Sequence, residues 1–350
     1  MTTPFSKTLI AGAVTLLGGG AFAGDGTGGP VTGNLPTGAP LAAFDATYNV
    51  CRGPYPQCYN NWINRDAQPN RVLIYSRTAG PRHANLGTAL TAGVNTQDPT
   101  SFSVCAPSAT CPTLNTNNVA QQALRTWLNA EGIAADITED ASQIPGLGSS
   151  YKAVIFMSPT RDTLWLHGKQ VTVTVNTTTN AQIDAPKTNL RQYIRSGGGF
   201  VGIHNAFGTE YNWPWYEGLL GNANYYDHGA NQNGDVVVVN ADPSTAGVTT
   251  RFPHRDEFYN LVPYPTKVKF LTRVDDDTLG VRRTVHPGHG NFHPNTWCQY
   301  YDGGRSWVTT MGHDAGAFTP GSGFPGQVEF QRLVTQGIKS AMGLTPFCTS

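Results

Sequence analysis

The side chains that could do chemistry in this sequence are mainly histidines and carboxylates. Histidine can act as an acid, a base or a neutral metal ligand near neutral pH, and a neighbouring carboxylate can orient its ring. The candidates are His83, His204, Glu210, His228, Glu257 and His313, together with Asp162 and Arg305. They contain no H-x-H or H-x-x-x-H spacing, so a metal site would need separate loops. A divalent metal ion therefore stands as an alternative beside metal-free acid–base chemistry.

His204 has the most informative position of these. Three glycines at 197–199 follow the end of a basic helix, and residues 200–203 have the length and branching of a buried parallel strand. His204 and Asn205 come directly after that strand, and open α/β sheets bind ligands beyond the carboxyl ends of their strands. We therefore expect His204 to act as a base. The alternative is a core histidine that only bonds a backbone carbonyl.

Three aromatic residues, Trp213, Trp215 and Tyr216, follow the same strand. The C–H faces of pyranose rings pack well on aromatic rings, so the group is typical of a sugar-binding platform. Ordinary core packing is the alternative, because aromatic side chains also dominate protein interiors.

Composition limits the class of protein and its partners. The chain has 350 residues, of which 39% are hydrophobic, which is enough for one large α/β domain. Its formal net charge is zero and only 13% of its residues are charged. Without a basic run, nucleic acid and anionic membranes are poor candidate partners. A carbohydrate is the partner that the aromatic residues favour.

The first 23 residues have the pattern of a secretory signal peptide. Lys7 precedes an apolar run, and Ala21-Phe22-Ala23 forms a cleavage site of the A-x-A type. Residues 24–70 then form a linker and an N-terminal extension that contains cysteine and aromatic residues. We expect a secreted protein, extracellular or periplasmic, with no membrane attachment after cleavage.

Six cysteines suit an oxidising compartment. Two pairs lie close in sequence, Cys51 with Cys58 and Cys105 with Cys111, which leaves Cys298 with Cys348. Fifteen connectivities are open to six cysteines, and the sequence does not choose among them. The absence of a C-x-x-C spacing argues against a cysteine zinc site.

Four sequence blocks carry a resemblance to a known family. They are YSRTAGPRHANL at 75–86, GGGFVGIHNAFGTEYNWPWY at 197–216, RDEFYNL at 255–261 and WCQYYDGGRSWVTTMGHDAGAF at 297–318. In this order they resemble the ThuA-like family, named for trehalose utilisation. The resemblance implies the fold of class I glutamine amidotransferases, a three-layer α/β/α flavodoxin-like domain with a mostly parallel sheet, here over residues 71–345.

The resemblance also implies a role in carbohydrate metabolism, on glycosides or their 3-keto derivatives. The reaction would be proton abstraction beside a carbonyl, or glycosidic cleavage. His204 would be the base and His313 its partner acid, with Glu210 or Glu257 as the orienting carboxylate. The implied substrate contacts are His83, Asp162, Asn205, Trp213, Trp215, Tyr216 and Arg305. A non-catalytic carbohydrate-binding protein on the same fold is the alternative.

The elbow after the strand separates this chain from amidotransferases. Glutamine hydrolysis needs a cysteine nucleophile there, and His204 occupies the position. The G-x-S-x-G elbow of serine hydrolases is missing as well. Fold alone would therefore mislead about activity.

Hydrophobic patterns predict the remaining elements. We expect strands at 71–75, 134–138, 151–157, 235–240, 267–274, 297–301 and 306–310, and helices at 119–131 and 328–342. A helix should open at 85–92, and the alternating residues 171–183 predict an inserted β-hairpin. The histidine-rich stretch 286–294 is read as a solvated loop because of its prolines and glycines.

Overall fold

A ten-stranded sheet forms the centre of the molecule. The computed structural model describes residues 43–53, 63–91, 93–108, 110–165, 177–281, 286 and 288–349. The strands are β1 (Ala43–Asp45), β2 (Val50–Arg52), β3 (Arg71–Tyr75), β4 (Val94–Asn95), β5 (Ala134–Thr138), β6 (Ala153–Met157), β7 (Gly199–Ile203), β8 (Tyr225–His228), β9 (Gln232–Val238), β10 (Arg251–Asp256), β11 (Tyr259–Leu261), β12 (Lys269–Asp275), β13 (His293–Tyr301) and β14 (Gly304–Thr309). The described α-helices are α1 (Val119–Ala130), α2 (Thr177–Arg195), α3 (Pro214–Leu219) and α4 (Gln327–Ala341).

The sheet has a parallel core and an antiparallel wing. Its strand order is β10-β9-β12-β13-β14-β7-β6-β3-β5-β4. Neighbouring strands from β14 to β5 run parallel. From β10 to β14 each strand runs antiparallel to the next, and we call these strands the wing. The short strands β1–β2 and β8–β11 form two separate pairs.

Helices cover both faces of the parallel core. Along β3, Val72 and Ile74 pack with α1 and α4, whereas Leu73 and Tyr75 belong to the opposite cluster with α2 and α3. The strand is buried on both sides, as the near-continuous apolar run RVLIY predicts. This arrangement confirms the three-layer α/β/α fold.

The direction of β10 places the end of the wing at the edge of the sheet where the parallel strands end. The parallel strands β3, β6, β7 and β14 all end at the same edge of the sheet. Four successive antiparallel steps separate β14 from β10, so β10 points in the same direction as β14. The residue after β10, Glu257, is therefore delivered to the edge where His204 follows β7.

Two predicted elements need correction. The predicted hairpin falls partly on residues 166–176, which lie outside the described residues, and from Thr177 onward the chain is helical as α2. Leu190, Tyr193 and Ile194 of that helix are buried against the sheet, and such packing outweighs the β-branched run at its start. Instead of a helix at 85–92, the chain makes one 3-10 turn, Ala84–Leu86, before Gly87 at a φ of 59°.

Two of the expected disulfides are present, Cys105–Cys111 and Cys298–Cys348. The third pair involves Cys58, which lies outside the described residues, as do the signal peptide and residues 24–42 of the linker. Among the described helices, none combines the length and the apolar character that a membrane span requires.

Candidate functional site

His204 stands at the turn that ends β7. Its φ of 51° lies in the left-handed region, which a non-glycine residue occupies only at a cost. The side chain is fully buried, and its Nδ1 lies 2.8 Å from the carbonyl oxygen of Thr310. A carbonyl oxygen only accepts hydrogen bonds, so Nδ1 must carry the proton. The neutral ring therefore has its lone pair on Nε2.

Two side chains cover that lone pair and separate it from an open cleft that lies over the site. His83 Nε2 lies 3.2 Å from His204 Nε2, and the hydroxyl of Tyr259 lies 2.9 Å from it. His204 thus lies beneath the floor of the cleft and does not reach a substrate directly. This corrects the expectation that His204 itself is the base, because the sequence does not show how deeply the ring is buried.

His83 and His313 come from loops that are tied together. His83 ends the loop after β3, and His313 follows β14. Next to His83, the Asn85 amide donates to the carbonyl oxygens of Gly312 and His313 at 2.8 and 3.0 Å. The expectation that the histidines after β3, β7 and β14 meet at one sheet edge is therefore met in the structure.

Glu257 forms a charged pair with His313. Its Oε2 lies 3.1 Å from His313 Nδ1 and 3.7 Å from His228 Nε2. Burial lowers the pKa of His313, but the adjacent Glu257 carboxylate outweighs burial and the net pKa is raised. Burial raises the pKa of Glu257, and the neighbouring histidines reverse that effect, so its net pKa is lowered. Both shifts favour an imidazolium–carboxylate pair.

His83 and His204 are held neutral. Burial, followed by the charges of His204 and His313, lowers the pKa of His83 to about 3. Burial also lowers the pKa of His204, and the nearby Asp256 carboxylate opposes it only in part. Neutral imidazoles keep a lone pair, which suits them to accept a proton or to bind a metal ion.

Two residues of the site, Asp256 and Tyr259, were not predicted. Asp256 Oδ2 accepts from the backbone N–H of Gly312 at 2.7 Å, and its Oδ1 accepts from that of Glu257 at 2.9 Å. The carboxylate thus fixes the loops that carry His313 and Glu257. Burial raises the pKa of the Tyr259 phenol well above its usual value, so it stays a neutral donor. Burial alternates along β10, but two of its three buried side chains, His254 and Asp256, are polar, so the sequence offers no apolar–polar pattern that would reveal Asp256.

An open cleft of about 490 Å³ lies over these residues. It is lined by Pro81, His83, Thr160, Arg161, Asn205, Gly208, Tyr211, Tyr225, His228, Glu257, Tyr259 and His313. Asn205, for which the sequence predicts a substrate contact, lines this cleft. Its amide nitrogen donates to Pro159 O and Thr160 Oγ1 at 2.9 and 3.0 Å. His228 donates from Nδ1 to the carbonyl of Gly229 at 2.6 Å, so a neutral His228 ring has its lone pair on Nε2.

Glu210 does not join the histidines. It is buried, and its Oε1 accepts from the backbone N–H of Leu164 at 2.8 Å. Its Oε2 pairs with Lys187 Nζ at 3.0 Å. The φ of 53° at Glu210 turns its side chain into the interior of the fold. The expectation of a catalytic carboxylate is therefore corrected to a buried ion pair that ties α2 to the loop after β7.

The aromatic group also lies mainly in the core. Tyr216 is fully buried, and Trp215 is 4% exposed with its Nε1 donating to Asp302 at 2.7 Å. Trp213 is half-buried and stacks on Tyr216. Core packing, the alternative reading, holds for Trp215 and Tyr216, whereas Tyr211 and Tyr225 are the tyrosines that line the cleft with Tyr259.

Arg305 and Asp162 do not line the cleft in the part of the chain that is described. Arg305 is buried and pairs in register with Gly199 at the start of β7. It therefore lies at the opposite edge of the sheet from His204, which corrects its assignment as a substrate contact. Asp162 follows Arg161 in the bend after β6, and its charge acts on Glu210.

At the end of the stretch 286–294, His293 and Pro294 belong to β13 and are buried, whereas the composition suggested a solvated loop. His293 is buried, with Nδ1 2.6 Å from Asp276 Oδ1 and Nε2 2.8 Å from the carbonyl oxygen of Tyr259. His293 is thus held at both ring nitrogens, between the Asp276 carboxyl and the backbone carbonyl of Tyr259. His289 Nε2 accepts from the backbone N–H of Leu261 at 2.9 Å. These histidines hold the β11 segment that carries Tyr259.

Four side chains of the site could hold a metal ion: His83, His204, Glu257 and His313. One ligand atom from each lies within 4.8 Å of the others. The same set can also work as proton donors and acceptors, because it contains a cationic and two neutral imidazoles.

Comparison with known proteins agrees with this architecture. No curated protein matches the chain. A solved ThuA-like protein from Bacteroides uniformis has a TM-score of 0.51 and 20% identity, over 78% of this chain and 93% of that one. A ThuA-like protein from Parabacteroides merdae has a TM-score of 0.49 and 15% identity, over 81% of this chain and 95% of that one. The ThuA profile, described as trehalose utilisation, matches residues 71–340. Because that match covers most of the 350 residues, the chain belongs to the ThuA family.

Proposed function

We propose that the protein acts outside the cytoplasm on a keto derivative of a glycoside and removes a proton beside its carbonyl group. One observation carries this proposal. Glu257 Oε2 lies between the imidazole of His228, at 3.7 Å, and that of His313, at 3.1 Å. Two imidazoles thus share one carboxylate in an open cleft, so that His228 in its neutral form would provide a base and His313 an acid for one substrate.

The proposed reaction is an elimination. His228 Nε2 takes the proton from the carbon beside the carbonyl, and the C–H electron pair forms an enolate. The positive charge of Arg161, which lines the cleft, stabilises the enolate oxygen. The electron pair then expels the glycosidic oxygen, which takes the proton of His313 as its C–O bond breaks. The products are an unsaturated keto sugar and a free alcohol.

Other glycoside-cleaving mechanisms have less support. A glycosidase of the usual kind needs two carboxyl groups on either side of the scissile bond. Among the described residues that line the cleft, Glu257 is the one carboxylate. The elbow position holds His204 in place of a cysteine or serine nucleophile, and no described cysteine has a free thiol. The groups in the cleft therefore favour proton transfer over covalent catalysis.

The sugar part of the proposal rests on the family and on the cleft. The ThuA family is described by trehalose utilisation, which is a carbohydrate process. Tyr211, which is 43% exposed, and Tyr225 offer ring faces in the cleft. Action outside the cytoplasm is supported by the Cys105–Cys111 and Cys298–Cys348 disulfides and by the signal-like residues 1–23. N-terminal sequencing of the exported protein should begin at Gly24, and an intact Met1 would contradict export.

The test is a turnover screen of the purified protein on glycosides and their 3-keto forms, with the unsaturated product followed by absorbance and mass spectrometry. His228→Asn keeps a donor near Gly229 and removes the Nε2 lone pair, so kcat should fall by about 10²–10⁴-fold. His286→Asn is the matched control outside the cleft. Sugar binding without turnover, unchanged in His228→Asn, would instead identify a carbohydrate-binding protein.

A further inference from the structure

We propose that His83, His204, Glu257 and His313 bind one divalent transition-metal ion, with Zn²⁺ as the best match. Three imidazoles and a carboxylate are ligands that zinc accepts in a tetrahedral site. Magnesium and calcium prefer oxygen ligands, which makes them poor matches for three ring nitrogens. The four residues come from four separate segments of the chain, so the site cannot be recognised from a sequence motif or from a single loop.

The spacing of the ligand atoms fits a shared ion. Two ligands of a tetrahedral zinc ion, each about 2.0–2.1 Å from it, lie about 3.3 Å apart. The Nε2 atoms of His83 and His204 are 3.2 Å apart, and Glu257 Oε2 is 3.1 Å from His313 Nδ1. The four ligand atoms all lie within 4.8 Å of one another, so small side-chain rotations close the set.

Hydrogen bonding at the site is incomplete without a ligand. Within the described part of the chain, His313 Nδ1 has no aligned hydrogen-bond partner, although Glu257 Oε2 is close. His83 Nδ1 is also buried without one. Buried polar atoms without partners cost free energy. A cation bound by both His313 and Glu257 would account for the short distance between these two side chains, which no aligned hydrogen bond explains.

The surroundings orient and balance a cation. The Nδ1–H of His204 donates to the carbonyl of Thr310, which directs Nε2 at the other ligands, as is usual for metal-bound histidine. Asp256 and Glu257 are adjacent carboxylates, and Asp256 Oδ1 lies 3.7 Å from His204 Nδ1. Two negative charges at one end of β10 match the charge of a divalent ion.

The ion would lie at the floor of the cleft with one side open. His83, Glu257 and His313 line the cleft, and His204 lies beneath them. His228 is the lining histidine outside the set, so it would keep its lone pair when the ion is bound. Here the inference rests on the proposed function: the ion would polarise the substrate carbonyl while His228 remains the base. Water would then replace His313 as the proton donor to the leaving oxygen, because a His313 bound through Nδ1 is no longer an imidazolium. The binding of the ion itself does not depend on that reaction.

The test uses the untagged protein, stripped with a chelator and titrated with Zn²⁺ in competition with a chromogenic chelator. We expect one zinc ion per chain. His83→Ala and Glu257→Gln should each weaken zinc binding at least tenfold, because each removes a direct ligand. His286→Ala is the matched control, since His286 lies outside the four, and should change the affinity less than twofold.

X-ray absorption of the zinc-loaded wild type keeps the test decisive if a variant fails to fold. The expected shell has nitrogen and oxygen at about 2.0–2.1 Å with imidazole scattering, and no sulfur at about 2.3 Å. Unchanged affinity in both variants, a sulfur shell, or no stoichiometric binding would overturn the ion site. Bound zinc without turnover would overturn the proposed reaction alone, and turnover in a protein that binds no stoichiometric zinc would overturn the ion site alone.

Discussion

The ring of His204 donates a 2.8 Å hydrogen bond to the carbonyl of Thr310, which fixes its tautomer and leaves Nε2 as an acceptor. Thr310 directly follows β14, so this bond joins the ends of two neighbouring parallel strands. The same bond that holds the sheet edge together therefore sets the chemistry of the buried imidazole.

Two substitutions separate the two nitrogens of His204. His204→Asn keeps a donor near the Nδ1 position and suits the φ of 51°, because asparagine tolerates the left-handed region. We expect its midpoint of thermal unfolding to stay within about 4 °C of wild type, while turnover falls about tenfold or more. His204→Gln loses the donor to Thr310 and should lose about 1–3 kcal/mol of stability. Equal turnover in His204→Asn and wild type would exclude a role for Nε2.

Glu210 should matter for stability and not for turnover. Glu210→Gln keeps an acceptor for the backbone N–H of Leu164 and leaves Lys187 facing a neutral amide. We expect a loss of about 1–3 kcal/mol in the free energy of unfolding, measured with urea, and a change in kcat of less than about threefold. A fall in kcat of a hundredfold with unchanged stability would restore the catalytic assignment.

Sugar affinity should follow the tyrosines of the cleft. Tyr211→Ala removes an exposed ring that lines the cleft and should weaken sugar binding about fivefold, measured by calorimetry. Trp215→Phe removes the hydrogen bond to Asp302 and should cost about 1.5–3 kcal/mol of stability with the affinity unchanged. The opposite pattern would place the sugar on Trp215.

Stability should fall in acid through His289. Burial, followed by the charges of His293 and His286, lowers the pKa of His289 from 6.5 to about 4. Between these values the unfolded chain binds more protons than the folded one. The contribution of His289 is therefore complete above about pH 6.5 and is lost as the pH falls towards 4, by at most about 1.4 kcal/mol per pH unit.

His289→Gln provides the check on this pH dependence. The glutamine amide oxygen can accept from the N–H of Leu261 as Nε2 does, yet the side chain does not titrate. Urea unfolding between pH 4 and 7 should show a flatter slope for the variant than for wild type. Parallel curves would show that His289 does not titrate in this range.

The sequence predicted which residues the parallel strands bring to one edge of the sheet. The end-of-strand rule identified His204 and His313, because parallel strands bring their carboxyl ends to one edge whatever their order. Glu257 was identified from its block, but Asp256 and Tyr259 in the same block were missed. Their positions depend on the number of antiparallel steps between β14 and β10, which no local pattern records.

Other errors arose because neighbours in sequence were assumed to be neighbours in space. Glu210 and Trp215 lie within eleven residues of His204 in the chain. A 3-10 turn, His204–Gly208, and the left-handed Glu210 turn the chain into the core instead. The stretch 286–294 was misread for the opposite reason, because Asp276 and the Tyr259 carbonyl, both distant in sequence, bury His293.

The residues of the site come from two different parts of the fold, which meet because β10 runs in the same direction as β14. The parallel core supplies three imidazoles, from His83, His204 and His313. The carboxylate of Glu257 follows β10 of the wing, and the phenol of Tyr259 comes from β11 of the separate β8–β11 pair. Insertions or substitutions confined to β10, β11 and the turn between them can thus change the carboxylate and the phenol while the imidazoles keep their positions. The segment from β10 to β11 is therefore a part of the site that can be exchanged, through which the same parallel core can acquire new reactivity.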